Sequence, residues 1–122
     1  MAIKIQAVED LYAYLKQFGL TDYQAQGTAA VMMLGKATAR EVSKNTNIQL
    51  KHVHRTMQEL GYFGLIETIE TRPMLYIAKP DEVFGRLIGM KEERLEKLQS
   101  KRDDLLGAIE DYHSSVKLTI EE

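Results

Sequence analysis

The hydrophobic pattern of residues 38–60 predicts two short helices joined by a tight turn. Thr38 and Glu41 have the Thr-x-x-Glu spacing of a capping box, so the first helix should begin at Thr38. Residues 45–47 (Asn-Thr-Asn) favour a turn, because asparagine accepts left-handed backbone and its side chain competes with helical hydrogen bonds. The second helix should then bury a single apolar stripe, formed by Leu50, Val53, Met57 and Leu60.

Two further helices are predicted before this segment. The first has one apolar face, formed by Val8, Leu11, Leu15 and Phe18, and it is followed by Gly19 as a left-handed cap. Thr21 should cap a second helix that runs to about Leu34. Gly27 lies inside that helix, where glycine costs about 1 kcal/mol relative to alanine. We therefore expect a neighbouring backbone to pack closely against Gly27, the alternative being a tolerated weak spot.

Residues 61–64 (Gly-Tyr-Phe-Gly) should end the helical segment. Two runs rich in Ile, Leu, Thr and Tyr follow, residues 65–71 and 74–78, and residues 71–73 (Thr-Arg-Pro) form the turn between them. A hairpin directly after the second of two short helices is the wing of a winged helix-turn-helix.

From Asp81, which can cap it, the pattern becomes that of one long helix. Over residues 95–116 it keeps the three-four alternation of a coiled coil, and polar Lys91 and Arg102 occupy core positions. A helix from Asp81 to His113 would be about 50 Å long at 1.5 Å per residue. Its apolar seam therefore needs a partner, and a second copy of the chain is the simplest one, either parallel or antiparallel. The predicted dimerisation residues are Phe84, Ile88, Leu95, Leu98, Arg102, Leu105, Ile109, Tyr112 and Val116.

These elements predict a mainly α fold with a small β-hairpin. We expect residues 1–80 to form a winged helix-turn-helix domain and residues 81–122 to form a long coiled-coil dimerisation helix. On a helical wheel, Arg55 points opposite the apolar stripe of the second short helix. This arrangement is typical of a helix that reads DNA, although an ordinary helical hairpin with a solvated charged face has the same pattern. The candidate DNA-binding residues are Thr38, Arg40, Lys44, Lys51, His52, Arg55, Gln58 and Arg72.

The charge distribution supports this hypothesis better than the total charge does. The formal net charge is -2, but residues 1–80 have a net charge of +2 and residues 81–122 one of -4. Charge placement determines the electrostatic footprint on a nucleic acid. The chain has no cysteine, an ordinary soluble composition, and no apolar run approaching the roughly 18 residues of a membrane span. No membrane partner is expected, and a cytoplasmic location is the default.

Catalysis, cofactors and metals find little support. His52 and His54 are two residues apart, about 200° around a helix, so they cannot bind one metal ion together. The chain has no Gly-rich phosphate loop and no nucleophile-base spacing. We expect no enzyme activity, no cofactor and no metal site.

Several segments resemble the winged-helix domain of TrmB-like transcriptional regulators. They are residues 20–25 (Leu-Thr-Asp-Tyr-Gln-Ala), 34–42, 64–66 (Gly-Leu-Ile) and 72–76 (Arg-Pro-Met-Leu-Tyr), and the likeness covers about residues 8–113. Larger members of that family have a C-terminal sugar-binding domain, which a chain of this length is expected to lack. The chain departs from the family at His54 and Arg55, where an aromatic and then an acidic residue are common, and at Gly27, where a larger apolar residue is usual.

The sequence therefore predicts a homodimeric, sequence-specific regulator of transcription that binds double-stranded DNA. A winged helix used only for protein-protein interaction, or a sequence-independent architectural DNA-binding protein, is the alternative. Lys51, Arg55 and Gln58 favour DNA, because such side chains contact base edges and phosphates. An interaction module would expose apolar anchors there instead. The operator sequence, the effector and the direction of regulation stay open.

Overall fold

The structure is a computed structural model that describes residues 5–120, with side chains from residue 8 to residue 116. It forms two compact units, one ending at Ile88 and the other beginning at Gly89. The described elements are α1 (Ile5–Lys16), α2 (Asp22–Leu34), β1 (Lys36–Ala37), α3 (Ala39–Lys44), α4 (Leu50–Tyr62), β2 (Glu67–Ile69), β3 (Leu75–Ile77) and α5 (Pro80–Ile120). A mainly helical chain with a small antiparallel sheet and a long C-terminal helix confirms the predicted fold class.

Helices α1 and α2 form a hairpin whose ends match the predicted caps. Gly19 is left-handed after α1 (φ 87°), and the Thr21 hydroxyl accepts a hydrogen bond from the Gln24 amide at the start of α2. The Asp22 carboxylate accepts hydrogen bonds from Lys16 and Tyr12 of α1. The pKa of Asp22 is lowered, chiefly because Lys16 donates to the ionised form and secondly because Tyr12 does.

Gly27 of α2 is a site of close approach, but by side chains and not by backbone as predicted. A Cβ atom at this position would lie 2.8 Å from Met57 Cε and 3.5 Å from both Leu60 Cδ1 and Thr56 Cγ2, all of α4. The absence of a side chain at Gly27 lets three residues of α4 pack directly onto α2.

The helix-turn-helix is formed by α3, residues 45–49 and α4. Thr38 is the N-cap of α3 and forms the predicted capping box with Glu41, each side chain bonding to the other residue's backbone amide. The prediction that α4 buries an apolar stripe is confirmed for Val53, Met57 and Leu60, which are fully buried. It is wrong for Leu50, which is 47% exposed because it begins the helix at the edge of the core.

The fourth buried residue of α4 is Thr56 and not Leu50. The Thr56 hydroxyl donates a hydrogen bond to the His52 carbonyl at 3.0 Å. This bond lets a polar side chain lie in the core, because the hydroxyl keeps a partner inside the helix.

The sheet has three strands in the order β1-β3-β2, all antiparallel. The predicted hairpin is present, although β2 and β3 are shorter than expected and the two-residue β1 was not predicted. Leu65 and Ile66 precede β2 and are buried in the core. Tyr76 of β3 pairs with both Ala37 and Thr68, so β3 is the central strand. Burial raises the pKa of the Tyr76 phenol.

Helix α5 begins at Pro80, so Asp81 lies in its first turn and does not cap it as predicted. Val83 and Leu87 are buried in the core of the first unit. Phe84, predicted for dimerisation, is half-buried there and packs edge-on against Tyr14, with ring centroids 5.6 Å apart.

The second unit is the rest of α5, which is longer than the predicted helix ending at His113. Its predicted seam is exposed in the single chain. Leu95, Leu98, Leu105 and Ile109 are each about half exposed, and Tyr112 is 68% exposed. Arg102 is exposed as well, with its guanidinium on Asp103, and Val116 is half-buried. Ile88, the last residue of the first unit, is 44% exposed.

Candidate nucleic-acid interface

Helix α4 presents a polar face opposite its buried back. Lys51, Arg55 and Gln58 follow each other at spacings of four and three residues, and all three are exposed. This spacing places them on one side of a helix. Each of these side chains can donate hydrogen bonds to acceptors on a base edge or a phosphate.

Helix α3 adds two exposed cations. Arg40 and Lys44 lie one turn apart, while Val42 between them is fully buried. The nearest acid in the sequence, Glu41, is held at the N-terminus of α3, where its Oε1 accepts the Thr38 amide at 3.1 Å. The Thr38 hydroxyl accepts the Glu41 amide, so its role in the structure is to cap the helix.

His52 is half-buried and lies against Tyr23, at the start of α2. The two ring centroids are 6.2 Å apart, and Tyr23 is 37% exposed. His52 and Tyr23 therefore form an aromatic pair where α2 meets the first turn of α4.

The turn between α3 and α4 is held by side-chain hydrogen bonds. Ser43 Oγ donates to the Ile48 carbonyl at 2.8 Å, and Thr46 Oγ1 donates to the Val42 carbonyl at 2.7 Å. The Asn47 amide donates to Gln26 Oε1 of α2 at 2.8 Å. These bonds fix the direction in which α4 leaves the turn.

Arg72 lies in the turn between β2 and β3, and its side chain is exposed. Thr71 Oγ1 donates to the Pro73 carbonyl at 2.9 Å within the same turn, and the Arg72–Pro73 peptide is cis. Strand β3 of this hairpin also pairs with β1, and β1 directly precedes α3.

The cations of this region are unpaired with the carboxylates that the structure describes. Arg40, Lys44, Lys51, Arg55 and Arg72 have no carboxylate oxygen within 4.0 Å among residues 8–116. Within the same residues, no three His, Cys, Asp or Glu side chains are grouped closely enough to hold a metal ion. None of the described helices is long and apolar enough to cross a membrane.

Sequence reasoning missed Tyr23, Gln26 and Leu50. The Tyr23–His52 and Gln26–Asn47 contacts join α2 to the helix-turn-helix across more than twenty residues, which no local pattern reveals. Leu50 was assigned to the core on spacing alone. Leu50 is the first residue of α4, and this position was the signal in the sequence that its side chain could be exposed. An exposed leucine at the start of such a helix can contact a thymine methyl group.

Comparison with known families identifies this architecture. The family model described as sugar-specific transcriptional regulator TrmB matches residues 15–82, which is more than half of the chain and includes the helix-turn-helix and the hairpin. The chain belongs to the TrmB family. The resemblance found in the sequence is thereby confirmed, and the chain is a member of a family of winged-helix transcriptional regulators.

Two relatives carry the TrmB name. The chain is 26% identical over 102 residues to TrmBL1 of Pyrococcus furiosus, a helix-turn-helix sugar-sensing transcriptional regulator; the match covers 84% of this chain and 26% of that one. The fold of the present chain is similar to that of TrmBL2, described as an archaeal chromatin protein with a novel mode of DNA binding. That match has a TM-score of 0.71 and 20% identity, and covers 85% of this chain and 41% of that one.

The fold is not confined to proteins of that name. The transcriptional regulator Tm0710 of Thermotoga maritima matches with a TM-score of 0.51 and 21% identity, over 94% of this chain and 87% of that one. This TrmB-family chain spans about a quarter of the length of TrmBL1 and about two fifths of that of TrmBL2. TrmBL1 and Tm0710 are described as transcriptional regulators, and TrmBL2 as a DNA-binding chromatin protein.

Proposed function

We propose that this TrmB-family protein is a sequence-specific regulator of transcription that binds double-stranded DNA with α4 in the major groove. The observation that carries the proposal is the face of α4 formed by Lys51, Arg55 and Gln58. It is exposed and lies opposite a fully buried back. Arg55 is opposite the buried stripe and is assigned to a base edge, where arginine can bind guanine through two hydrogen bonds.

The other cations are assigned to phosphates. Arg40 and Lys44 of α3, Lys51 near the start of α4 and Arg72 of the hairpin are exposed and lack described carboxylate partners. Contacts of this kind set the orientation of a protein on the duplex and supply sequence-independent affinity. His52 beside Tyr23 is assigned to a phosphate or base contact at the edge of the same face.

The active species is proposed to be a homodimer. The exposed apolar side chains of Leu95, Leu98, Leu105 and Ile109 follow a heptad pattern, which a second copy of the same helix complements. Two copies would present two recognition helices, and two half-sites bind more tightly than one.

A sequence-independent architectural role is the second candidate, favoured by the fold similarity to TrmBL2, a chromatin protein. Selection from a pool of random duplexes separates the two. A sequence-specific regulator should enrich a two-fold symmetric site and bind it at least about 10³-fold more tightly than random DNA at physiological salt. Binding with no enriched site would support the architectural role. Absence of DNA binding would overturn both and leave the cationic face to an acidic protein partner.

A further inference from the structure

The first unit contains a cleft that shares only Lys44 with the DNA contacts proposed above. It lies between α1, α2 and the turn that joins α3 to α4, and its volume is about 540 Å³. Small-molecule sites in proteins have volumes of about 300–1,000 Å³, so the cleft is large enough for an organic ligand. Its lining residues are Val8, Glu9, Tyr12, Gln26, Ala29, Ala30, Met33, Leu34, Lys44, Asn45, Thr46 and Asn47.

Four residues of α2 give the cleft an apolar wall, although Gln26 of α2 and Glu9 of α1 also line it. Ala29 and Ala30 line this wall and are buried, and their small side chains leave the space that larger residues would fill. Met33 and Leu34 line it one turn further along α2 and are 39% and 38% exposed. A ligand with an apolar body would cover these side chains and remove them from water.

The opposite side is polar, but most of its turn groups already have partners. Asn45 Nδ2 donates to the Glu41 carbonyl, and Thr46 Oγ1 both donates to the Val42 carbonyl and accepts from the Ile48 amide. Lys44 differs, since its ammonium has no carboxylate within 4.0 Å among the described side chains. The cleft therefore has an unpaired cation at the edge of an apolar wall.

We propose that this cleft binds a small carboxylic acid with an aromatic or branched aliphatic body. The body would lie on Ala29, Ala30 and Met33, and the carboxylate would pair with Lys44. Glu9, the one acid among the described lining residues, is also without an ion-pair partner there, but it lies on α1, whereas Lys44 ends α3 beside the polar turn. An exposed ion pair contributes at most about 1 kcal/mol, so we expect the carboxylate to improve affinity by a few-fold over an uncharged analogue.

The test uses the whole 122-residue chain without DNA, so its failure would not bear on the proposed function. Phenylacetate is titrated into ¹⁵N-labelled protein, with phenylacetamide as a neutral analogue and phenethylamine as a cationic one of similar size. The proposal expects saturable amide shifts at Ala30, Met33 and Asn47, with phenylacetate binding about three- to five-fold more tightly than phenylacetamide. Tighter binding of phenethylamine would overturn the proposal, because Glu9 would then dominate.

Two variants locate the site. Lys44→Gln should remove the preference for phenylacetate over phenylacetamide without weakening phenylacetamide binding. Ala30→Leu should fill the cleft and weaken both acid and amide at least about five-fold. Because Lys44 is exposed, Lys44→Gln is expected to fold even if Ala30→Leu does not. An unchanged preference in Lys44→Gln would contradict the proposal. So would the absence of saturable shifts with every probe, as expected if a second copy covers the cleft in solution.

Discussion

Gly27 of α2 lies directly beneath Met57 of α4, so closely that a Cβ atom at Gly27 would be 2.8 Å from Met57 Cε. Met57 is fully buried, so its terminal methyl group has little room to move. The contact fixes how near α4 lies to α2.

Replacing Gly27 with alanine should therefore have two opposing effects. Alanine favours the helix by about 1 kcal/mol, while the displaced Met57 methyl costs about the same in a packed core. We expect the free energy of unfolding of Gly27→Ala to change by less than about 1 kcal/mol. In a Met57→Leu background, which lacks the clashing methyl group, the same change should stabilise by about 1 kcal/mol. Urea denaturation of the four proteins in this cycle measures the difference, and simple additivity of the two substitutions would contradict it.

Arg55→Ala should weaken binding to the selected DNA site by about 1–3 kcal/mol and relax the preference at one base position. The reason is the position of Arg55 opposite the buried stripe of α4. Repeating the random-pool selection with the variant measures both effects. The matched control is Lys97→Ala, which removes one exposed cation from α5 and should leave the preferred sequence unchanged. A loss that is equal for all sequences would make Arg55 a phosphate contact.

The salt dependence of binding tests the charge assignment as a whole. With three or four phosphate contacts per protomer, the slope of log affinity against log salt should be roughly -5 to -7 for a dimer. Arg72→Ala should make that slope shallower by up to about two units per dimer without changing the preferred sequence. Titration of DNA at several salt concentrations gives the slopes. A wild-type slope near zero would show that the cationic face does not meet DNA.

Leu98→Lys combined with Leu105→Lys should produce monomers and weaken DNA binding. Both side chains are about half exposed in the single chain, and charge at these two core positions would disrupt a coiled coil. Sedimentation equilibrium measures the mass. Ser100→Lys with Ser114→Lys places the same charges on the outer side of the helix and serves as the control. A double Leu variant that remains dimeric would exclude this seam as the interface.

The two copies of α5 should run antiparallel. A parallel pair would place Arg102 opposite Arg102 and Lys91 opposite Lys91 in the core, since identical positions face each other there. An antiparallel pair in which Leu98 faces Ile109 places Arg102 opposite Leu105 and Lys91 opposite Val116. The chain has no native cysteine, so Leu98→Cys can be oxidised cleanly. Alone it should form little disulfide, whereas mixed with Ile109→Cys it should form a heterodisulfide. Efficient self-linkage of Leu98→Cys would indicate parallel helices.

Local signals in the sequence predicted most of the fold and the outer faces of the helices. The Thr38–Glu41 capping box, the asparagine turn and the heptads depend on neighbours within seven residues. The capping box, the turn and the long C-terminal helix are confirmed, while the coiled coil stays a prediction. Strand β1 could not be predicted in this way, since two residues pair only because β3 returns some forty residues later. The burial of Phe84 likewise depends on a residue that is distant in the sequence. The heptad frame assigned it to a partner, but in the single chain it packs on Tyr14, which is seventy residues earlier.

The short strand β1 links two parts of the molecule that the chain order separates. It pairs with β3 on one side of the hairpin and leads directly into the Thr38 cap of α3. Strand β2 pairs with β3 alone and is exposed along its whole length. The two strands of the hairpin should consequently differ in mobility. Strand β2 can separate from β3 by thermal motion, while β3 stays paired with β1. Arg72 lies in the turn between these strands. Its binding to a ligand would order the turn, and the lost conformational entropy would reduce the net free energy of binding.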